Sequence, residues 1–524
     1  MKFAQSLLFC IAITALMGSC GLVADRQDSK TDSVPAPLAQ LPDTAMASVK
    51  GLDYDIEIVD STDNGMLELT VESAYDTVPG TFTFRGGTRR DFPVSGQVKG
   101  TPSSITVDWE FDTYEDLSPT PLGTWGGGTG WTGQPVYVEW TAQQTDSIRR
   151  THKGILPNFG PREIMFGSLC SRVYFLNFDT GKESREYIDV TNPIKGTVSL
   201  DPALNGSLYV GQGVPRSRPF GHLAINLPEH KVRYMWPEDR KASRHWGAYD
   251  SSPVVVGKYL FWPGENGTVY KYNRLGNGQL KMHSCLRFKA KTERASAGME
   301  ASMCVYRNYG YVGDNHGNIV CINLNVMKPV WFYALGDDID GSLVLEVENG
   351  VPYIYAGCEV DRQGESGISN LVRLNGLDGS EVWKRSIQCS KLHLNNKHFD
   401  GGLYCTPLLG RGNCEGMMFL SICQPGVSRA AEFLALDRHT GNTIYSVQLK
   451  AWAWSSPVPF YNEKEELFIM TGDSNGNAYL IQGDTGAILF TRHMANNFES
   501  SPVVVGNHLV VGSRGKQIYR FSIN

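Results

Sequence analysis

The chain has no lysine- or arginine-rich block, no C-x-x-C pair, no two adjacent cysteines and no glycine-rich loop ending in G-K-[ST]. With a formal net charge of −6, the first absence removes the basic footprint of a nucleic-acid binder. The second removes a zinc site of the usual spacing. The fourth removes a phosphate loop. The apolar run at 7–17 is too short to cross a bilayer. Only 19% of the 524 residues are charged, whereas glycine occurs 56 times and tryptophan 11 times, a balance that suits an all-β chain rich in turns.

The first twenty residues are a targeting segment. Lys2 starts it, the apolar run follows, and "LMGSC" ends it. This resembles a bacterial lipoprotein signal and implies that Cys20 is the lipidated first residue of the mature chain. Gly21 in place of Asp implies sorting to the outer membrane. Residues 21–50 are polar, contain proline and lack periodicity, as a flexible tether does. Beyond Cys10 and Cys20 nine cysteines remain, an odd number that requires at least one free thiol. Cys405 and Cys423 flank a predicted hairpin and are a candidate pair; most of the others read as small buried hydrophobes.

Internal repeats organise the rest. "SSPVVVG" stands at 251–257 and at 500–506, with weaker copies "SSPVPF" at 455–460, "ASMCVY" at 301–306, "GSLVLEV" at 341–347 and "CTPLL" at 405–409. After most of them come a second apolar run ending in glycine, a turn, a third run and an aromatic. The aromatic follows a polar marker by eight residues: Asp437 and Tyr445, Asn323 and Trp331, Asn375 and Trp383, Gln482 and Phe490, Asn226 and Tyr234. It is missing at two units, where Asn177 leads to Arg185 and Asn273 to Lys281. Each unit predicts four strands, inner A to outer D. Counted from Ser252, Ser302, Ser342, Thr406, Ser456 and Ser501, and with two earlier units starting near Gln134 and Gly196, eight units are expected.

The expected fold is therefore an eight-bladed β-propeller of four-stranded antiparallel blades over residues 101–524. The chain stops after three strands of its last unit, leaving an open edge. The alternating segment "ITVDWEFDT", 105–113, places Trp109 where a D-strand aromatic belongs and is expected to supply the missing strand. Residues 51–100 form an N-terminal extension, with "YDIEIVD" and "LELTVES" as a hairpin packed outside and a lead-in to the propeller.

"SSPVVVGNHLVVGSRGKQIYRFSI" and "ALDRHTGNTIY" resemble the PQQ-like propeller repeats of quinoprotein alcohol dehydrogenases and of BamB-like outer-membrane lipoproteins. "TFRGGTRRDF", 82–91, resembles the lead-in that precedes such propellers. The resemblance covers about residues 82–524. For the enzymes it implies PQQ held between a vicinal Cys-Cys disulfide and a tryptophan, with Ca²⁺ and an Asp base. This chain has no Cys-Cys, and none of those ligands is carried over.

A carboxylate recurs just before the A strands: Asp250, Glu300, Asp340, Asp400 and Glu499. A strands line the central channel, so these five should meet near one mouth and raise one another's pKa. Trp131, Trp246, His398 and Trp454 lie in the same turns, as do His245, Tyr249, Phe399, Trp452, His493 and Phe498. Carboxylates beside aromatics suit a basic peptide or a sugar. The structural alternative is that each acid accepts backbone N–H bonds at the start of its blade. "TWGGGTGWTGQP", 124–135, either approaches a ligand or packs Trp125 or Trp131 over the blade ends. "DSNGN" (473–477) and "DNHGN" (314–318) read as turns, since neither has the glutamate of a calcium loop.

These features point to a monomeric, lipid-anchored scaffold that binds a protein or glycan partner at the outer membrane, without a cofactor, and BamB-like resemblance implies outer-membrane protein assembly. The alternative is an enzyme: a quinoprotein-type dehydrogenase with PQQ and Ca²⁺, or a glycan-active propeller using the mouth acids. Loops at 142–162 and 359–370 are longer than the repeat requires.

Overall fold

The computed structural model describes residues 38–43 and 47–524, apart from 93, 395–396, 427–429 and 495. Cys20, the signal segment and most of the tether lie outside these residues. Among the described residues eight blade sheets follow one another along the chain, each with an expected A strand, and their A-to-D strands pair antiparallel; a separate two-stranded ribbon, Leu392–Leu394 with Lys397–Phe399, lies outside them. Blade 1 comprises Val136–Glu139, Arg162–Gly167, Arg172–Asn177 and Ile188–Asp189. Blade 3 runs from Val254–Val256 to the long outer strand Gln279–Ala290. Blade 8 contributes Val503–Val505, His508–Gly512 and Gln517–Ile523.

The ring closes as expected. Ile105–Asp112 pairs antiparallel with Gln517–Ile523, Trp109 lying opposite Arg520 and Glu110 opposite Tyr519. The D-strand aromatics join neighbouring blades. Trp109 donates its indole N–H to Phe178 O at 2.9 Å, Trp331 to Gly376 O at 2.8 Å and Trp383 to Arg438 O at 2.9 Å. Each ring lies flat on a turn glycine of the next blade. A Cβ on Gly181, Gly379 or Gly441 would come within 2.6, 2.7 or 2.8 Å of the respective indole. The T-G of "DTG" and "HTG" is therefore an interblade seat, and a side chain there would push the blades apart.

The repeated Ser/Thr at the A strands has an equally direct cause. The backbone N–H of Ser252 donates to Ser302 Oγ at 2.8 Å, Ser302 to Ser342 at 2.8 Å, Ser342 to Thr406 at 3.1 Å, Thr406 to Ser456 at 3.0 Å and Ser456 to Ser501 at 3.2 Å. These are the positions from which the repeat was counted. A buried hydroxyl ring satisfies inner-edge N–H groups that have no fifth strand to pair with.

The lead-in passes down the axis. Arg85 and Arg90 are fully buried. Arg85 donates to Pro457 O (2.8 Å) and Pro407 O (2.9 Å); Arg90 donates to Met303 O (2.8 Å), Ser252 O (3.0 Å) and Phe84 O (2.8 Å). Val305 N–H bonds Thr88 O and Leu345 N–H bonds Arg89 O. Burial lowers both guanidinium pKa values to about 10, so both remain charged at neutral pH. Residues 83–90 thus cross-link inner strands around the ring and plug it.

Several expectations need correction. The outer hairpin does not form: Leu52–Ile58 instead adds a fifth strand to blade 3, paired along Ser284–Ala290. Leu67 and Leu69 bury their side chains without joining a sheet. Blades 1 and 7 likewise gain short inner strands, Gly80–Thr81 and Gly96–Gln97, so the blades are not uniformly four-stranded. The 142–162 stretch is not simply a loop, because Ala142–Thr151 is a helix, α1, started by a Thr141/Gln144 capping box. Residues 366–370 of the second expected loop are strand, part of Ser366–Asn375. Cys405 and Cys423 do not pair; all nine described cysteines are free and buried, as small hydrophobes are. At blade 1 the missing aromatic is replaced by Arg185, whose fully buried guanidinium bonds both oxygens of equally buried Glu163 at 2.9 and 3.0 Å.

Candidate functional site: an acidic and aromatic mouth

Along the axis the order is plug, hydroxyl ring, then the residues two positions before each ring hydroxyl. Those residues are Asp250, Glu300, Asp340, Tyr404, Trp454 and Glu499 in blades 3 to 8; in blade 2 Lys195 stands two before Thr197, the matching position, whose hydroxyl donates to Thr132 O. One arc of the mouth is thus ionic and the next aromatic. The sequence reading missed Lys195, although it occupies in blade 2 the position that holds an acid in blades 3 to 5.

Lys195 Nζ pairs with buried Asp250 and lies 3.8 Å from Glu300. It also sits 4.6 Å from the centre of the Trp131 ring, within cation–π range. Carboxylate oxygens of Asp250, Glu265 and Glu300 lie within 4.8 Å of one another. Glu265, missed because it comes from the turn "PGENG", accepts the indole N–H of Trp246 at 3.0 Å. Burial raises Asp250 to about 7 against the opposing pull of Lys195; burial and the neighbouring acids raise Glu265 well above its usual range.

Asn315 Nδ2 bridges Glu300 to Asp338, 3.2 Å from each. Beyond it opens a cavity of about 300 Å³. Trp131, Asp340, His398, Asp400 and Trp454, all expected, line it. So do Asp338, Glu359, Asp361 and Tyr404, which the repeat pattern does not mark because Asp338, Glu359 and Asp361 lie off the A-strand position and Tyr404 breaks the acid series. Phe399 completes the wall. Tyr404 and Trp454 have centroids 5.2 Å apart, Trp131 and Trp454 6.0 Å, Phe399 and Trp454 6.3 Å. Burial first, then neighbouring carboxylates, raises Asp338, Asp340 and Glu359 well above normal.

The other expected residues lie elsewhere in the mouth. Trp246 covers Glu265 and packs on Phe220 rather than facing the cavity. Glu499 is buried beside Arg514 (3.6 Å) and accepts from Asn497 Nδ2 at 2.6 Å. Among the described residues no backbone N–H donates to Asp250, Glu300, Asp340, Asp400 or Glu499, so the blade-start role considered for them is not the one they perform. The glycine-rich stretch does pack over blade ends: a Cβ on Gly128 would lie 2.1 Å from Ser513 O and Gly515 O. The two Asp-Asn loops are turns, Asp314 and Asp473 each accepting from the N–H groups that follow.

PQQ does not fit this donor set. The quinone carries three carboxylates, but the mouth is lined by carboxylates, and Lys195, Lys391 and Arg514 already face Asp250, Asp400 and Glu499. No adjacent cysteines exist to face its ring.

Residues 429–524 match the family model described as outer membrane protein assembly factor BamB. No curated protein has a sequence that matches the chain. Among solved structures, quinohemoprotein alcohol dehydrogenase from Comamonas testosteroni is similar at TM-score 0.57 and 13% identity, covering 85% of this chain and 80% of that one. Alcohol dehydrogenase ADHIIG from Pseudomonas putida HK5 gives 0.57 and 11%, covering 86% and 81%. BamB from Moraxella catarrhalis gives 0.49 and 14%, covering 80% and 100%. The chain is a β-propeller with eight blades, the fold it shares with the two dehydrogenases, and its match to the family model lies in residues 429–524.

Proposed function

We propose that this propeller is a non-catalytic binding and scaffold lipoprotein of the bacterial envelope, tethered to the outer membrane through Cys20 and holding a protein or glycan partner. The observation that carries the reading is the asymmetry of the axis: one part is filled by an arginine plug, while one mouth keeps an acidic, aromatic-walled cavity. A plugged ring is a rigid platform, and rigidity favours recognition. The match of residues 429–524 to the BamB family model supports assembly of outer-membrane proteins as the process served. No described helix is long and apolar enough to cross a membrane, and the proposed anchor does not need one.

The test is capture from detergent-solubilised envelope with the tethered form, against a Cys20→Ser form. Recovery of one saturable partner, with the Cys20→Ser form lost from the membrane fraction, supports the reading. Quinone absorbance retained through desalting after incubation with PQQ and Ca²⁺ would overturn it in favour of the dehydrogenase.

A further inference from the structure

We infer that the mouth cavity is a receptor for a primary alkylammonium group, the end of a lysine side chain. This deepens the scaffold reading and rests on it. Three acids of the cavity, Asp338, Asp340 and Glu359, form no ion pair with any described Lys, Arg or His. Glu359 is only 4% exposed, and its carboxyl faces that of Asp340 and the Tyr404 hydroxyl; its Oε1, like Asp338 Oδ1 and Asp340 Oδ1, is buried and receives no N–H donor among the described residues. Carboxyls that face one another at such depth cannot all carry charge unaided, and an ammonium group placed among them supplies both the donors and the opposite charge.

The shape selects the kind of cation. The cavity, about 300 Å³, is far larger than a metal ion needs. One wall is a cluster of rings centred on Trp454, which a hard metal ion does not require but a butylammonium stem and head do. The protein also contains its own example next door. Lys195 brings its ammonium to Asp250 and Glu300 with the Trp131 ring beside it. Trp131 also borders the cavity, whose free acids and rings repeat that arrangement without the lysine.

The experiment titrates the full chain with Nα-acetyl-lysine amide, with cadaverine and with Nα,Nε-diacetyl-lysine amide, read by tryptophan fluorescence because Trp131 and Trp454 line the site. CaCl₂ is run as a competitor. Saturable signals from the two amines, none from the diacetyl compound, and a loss of about tenfold or more in Glu359→Gln and Asp340→Asn are expected. Trp454→Leu should weaken binding while its melting temperature shows that it folds. Tighter binding of the lysine amide assigns the group to a protein side chain, and equal binding of cadaverine assigns it to free amines; both support the site. Equal binding of the diacetyl compound, displacement by Ca²⁺ with metal binding itself lost in Glu359→Gln, or no amine signal overturns it. Where the lysine amide binds more tightly than cadaverine, a Glu359→Gln chain that still captures the envelope partner overturns this inference and leaves the scaffold reading standing.

Discussion

Trp109 and Gly181 meet face to face: the glycine adopts φ +67°, and an added Cβ would sit 2.6 Å from the indole. The contact joins the strand that completes blade 8 to the turn between the outer strands of blade 1. It therefore holds the seam of the ring. Trp109→Ala should cost about 2–3 kcal/mol, below the fully buried range because the ring is only half-buried. Gly181→Val should be at least as harmful, since it both clashes and requires a left-handed backbone. Urea unfolding of the two variants checks this. Wild-type midpoints in both would show that the seam is held by the Ile105–Asp112 ladder alone.

Arg85 spans two blades through Pro407 O and Pro457 O. An Arg85→Met chain leaves both carbonyls and the Arg90 carbonyl without this donor, a loss of about 3 kcal/mol or more. Arg85→Lys should recover little, because one ammonium cannot reproduce the planar fork that reaches both carbonyls. Equal melting temperatures for Arg85→Lys and the parent would refute the cross-linking role.

The fold was legible because its determinants are local and repeated. The A-strand hydroxyls, the turn glycines and the D-strand aromatics each recur at fixed offsets, and each turned out to make the same contact in several blades. The extension was not legible in the same way. "YDIEIVD" carries a strand pattern, but nothing in it distinguishes pairing with its neighbour from pairing with Gln279–Ala290, more than two hundred residues away. The mouth was half legible for the same reason. Asp250, Glu300 and Asp340 stand in the repeat before the A strands; Glu265 stands in it too, after the B-strand glycine where other units have Asp314 and Asp473, but that turn was not expected at the mouth, and Asp338 and Glu359 have no periodic mark. Lys195 was hidden by its opposite charge.

Glu163 and Arg185, both fully buried, replace the aromatic seat of blade 1 with an ion pair. Trp140 Nε1 and Ser184 Oγ also donate to Glu163, at 3.0 and 2.6 Å. Glu163→Gln or Arg185→Met alone should cost about 3–5 kcal/mol, because each strands a buried charge. The double change Glu163→Gln/Arg185→Met should cost clearly less than the sum. A strictly additive double-mutant cycle in chemical denaturation would show that the two do not act as a pair.

Asp250 supplies a pH dependence whose sign follows from its burial. Its pKa in the folded chain is raised to about 7, from 3.8 for an exposed aspartate, by loss of solvent despite Lys195, with Glu300 and Glu265 also facing it. Between these values the folded chain holds more protons at Asp250 than the unfolded chain does. Stability contributed by this group therefore falls as pH rises from about 4 to 7 and is level above. Asp250→Asn removes the effect; the histidines and distant acids cancel in the comparison, whereas Lys195, Glu265 and Glu300 respond to the lost charge, so the difference reports Asp250 together with the groups it faces. The advantage of the parent over Asp250→Asn should thus be larger at pH 5 than at pH 8, by about 1–3 kcal/mol. Denaturant titrations of both proteins at the two pH values measure it. Parallel shifts in the two proteins would mean that Asp250 is ionised throughout, held so by Lys195, and that the acidic arc of the mouth carries full charge at every pH in that range.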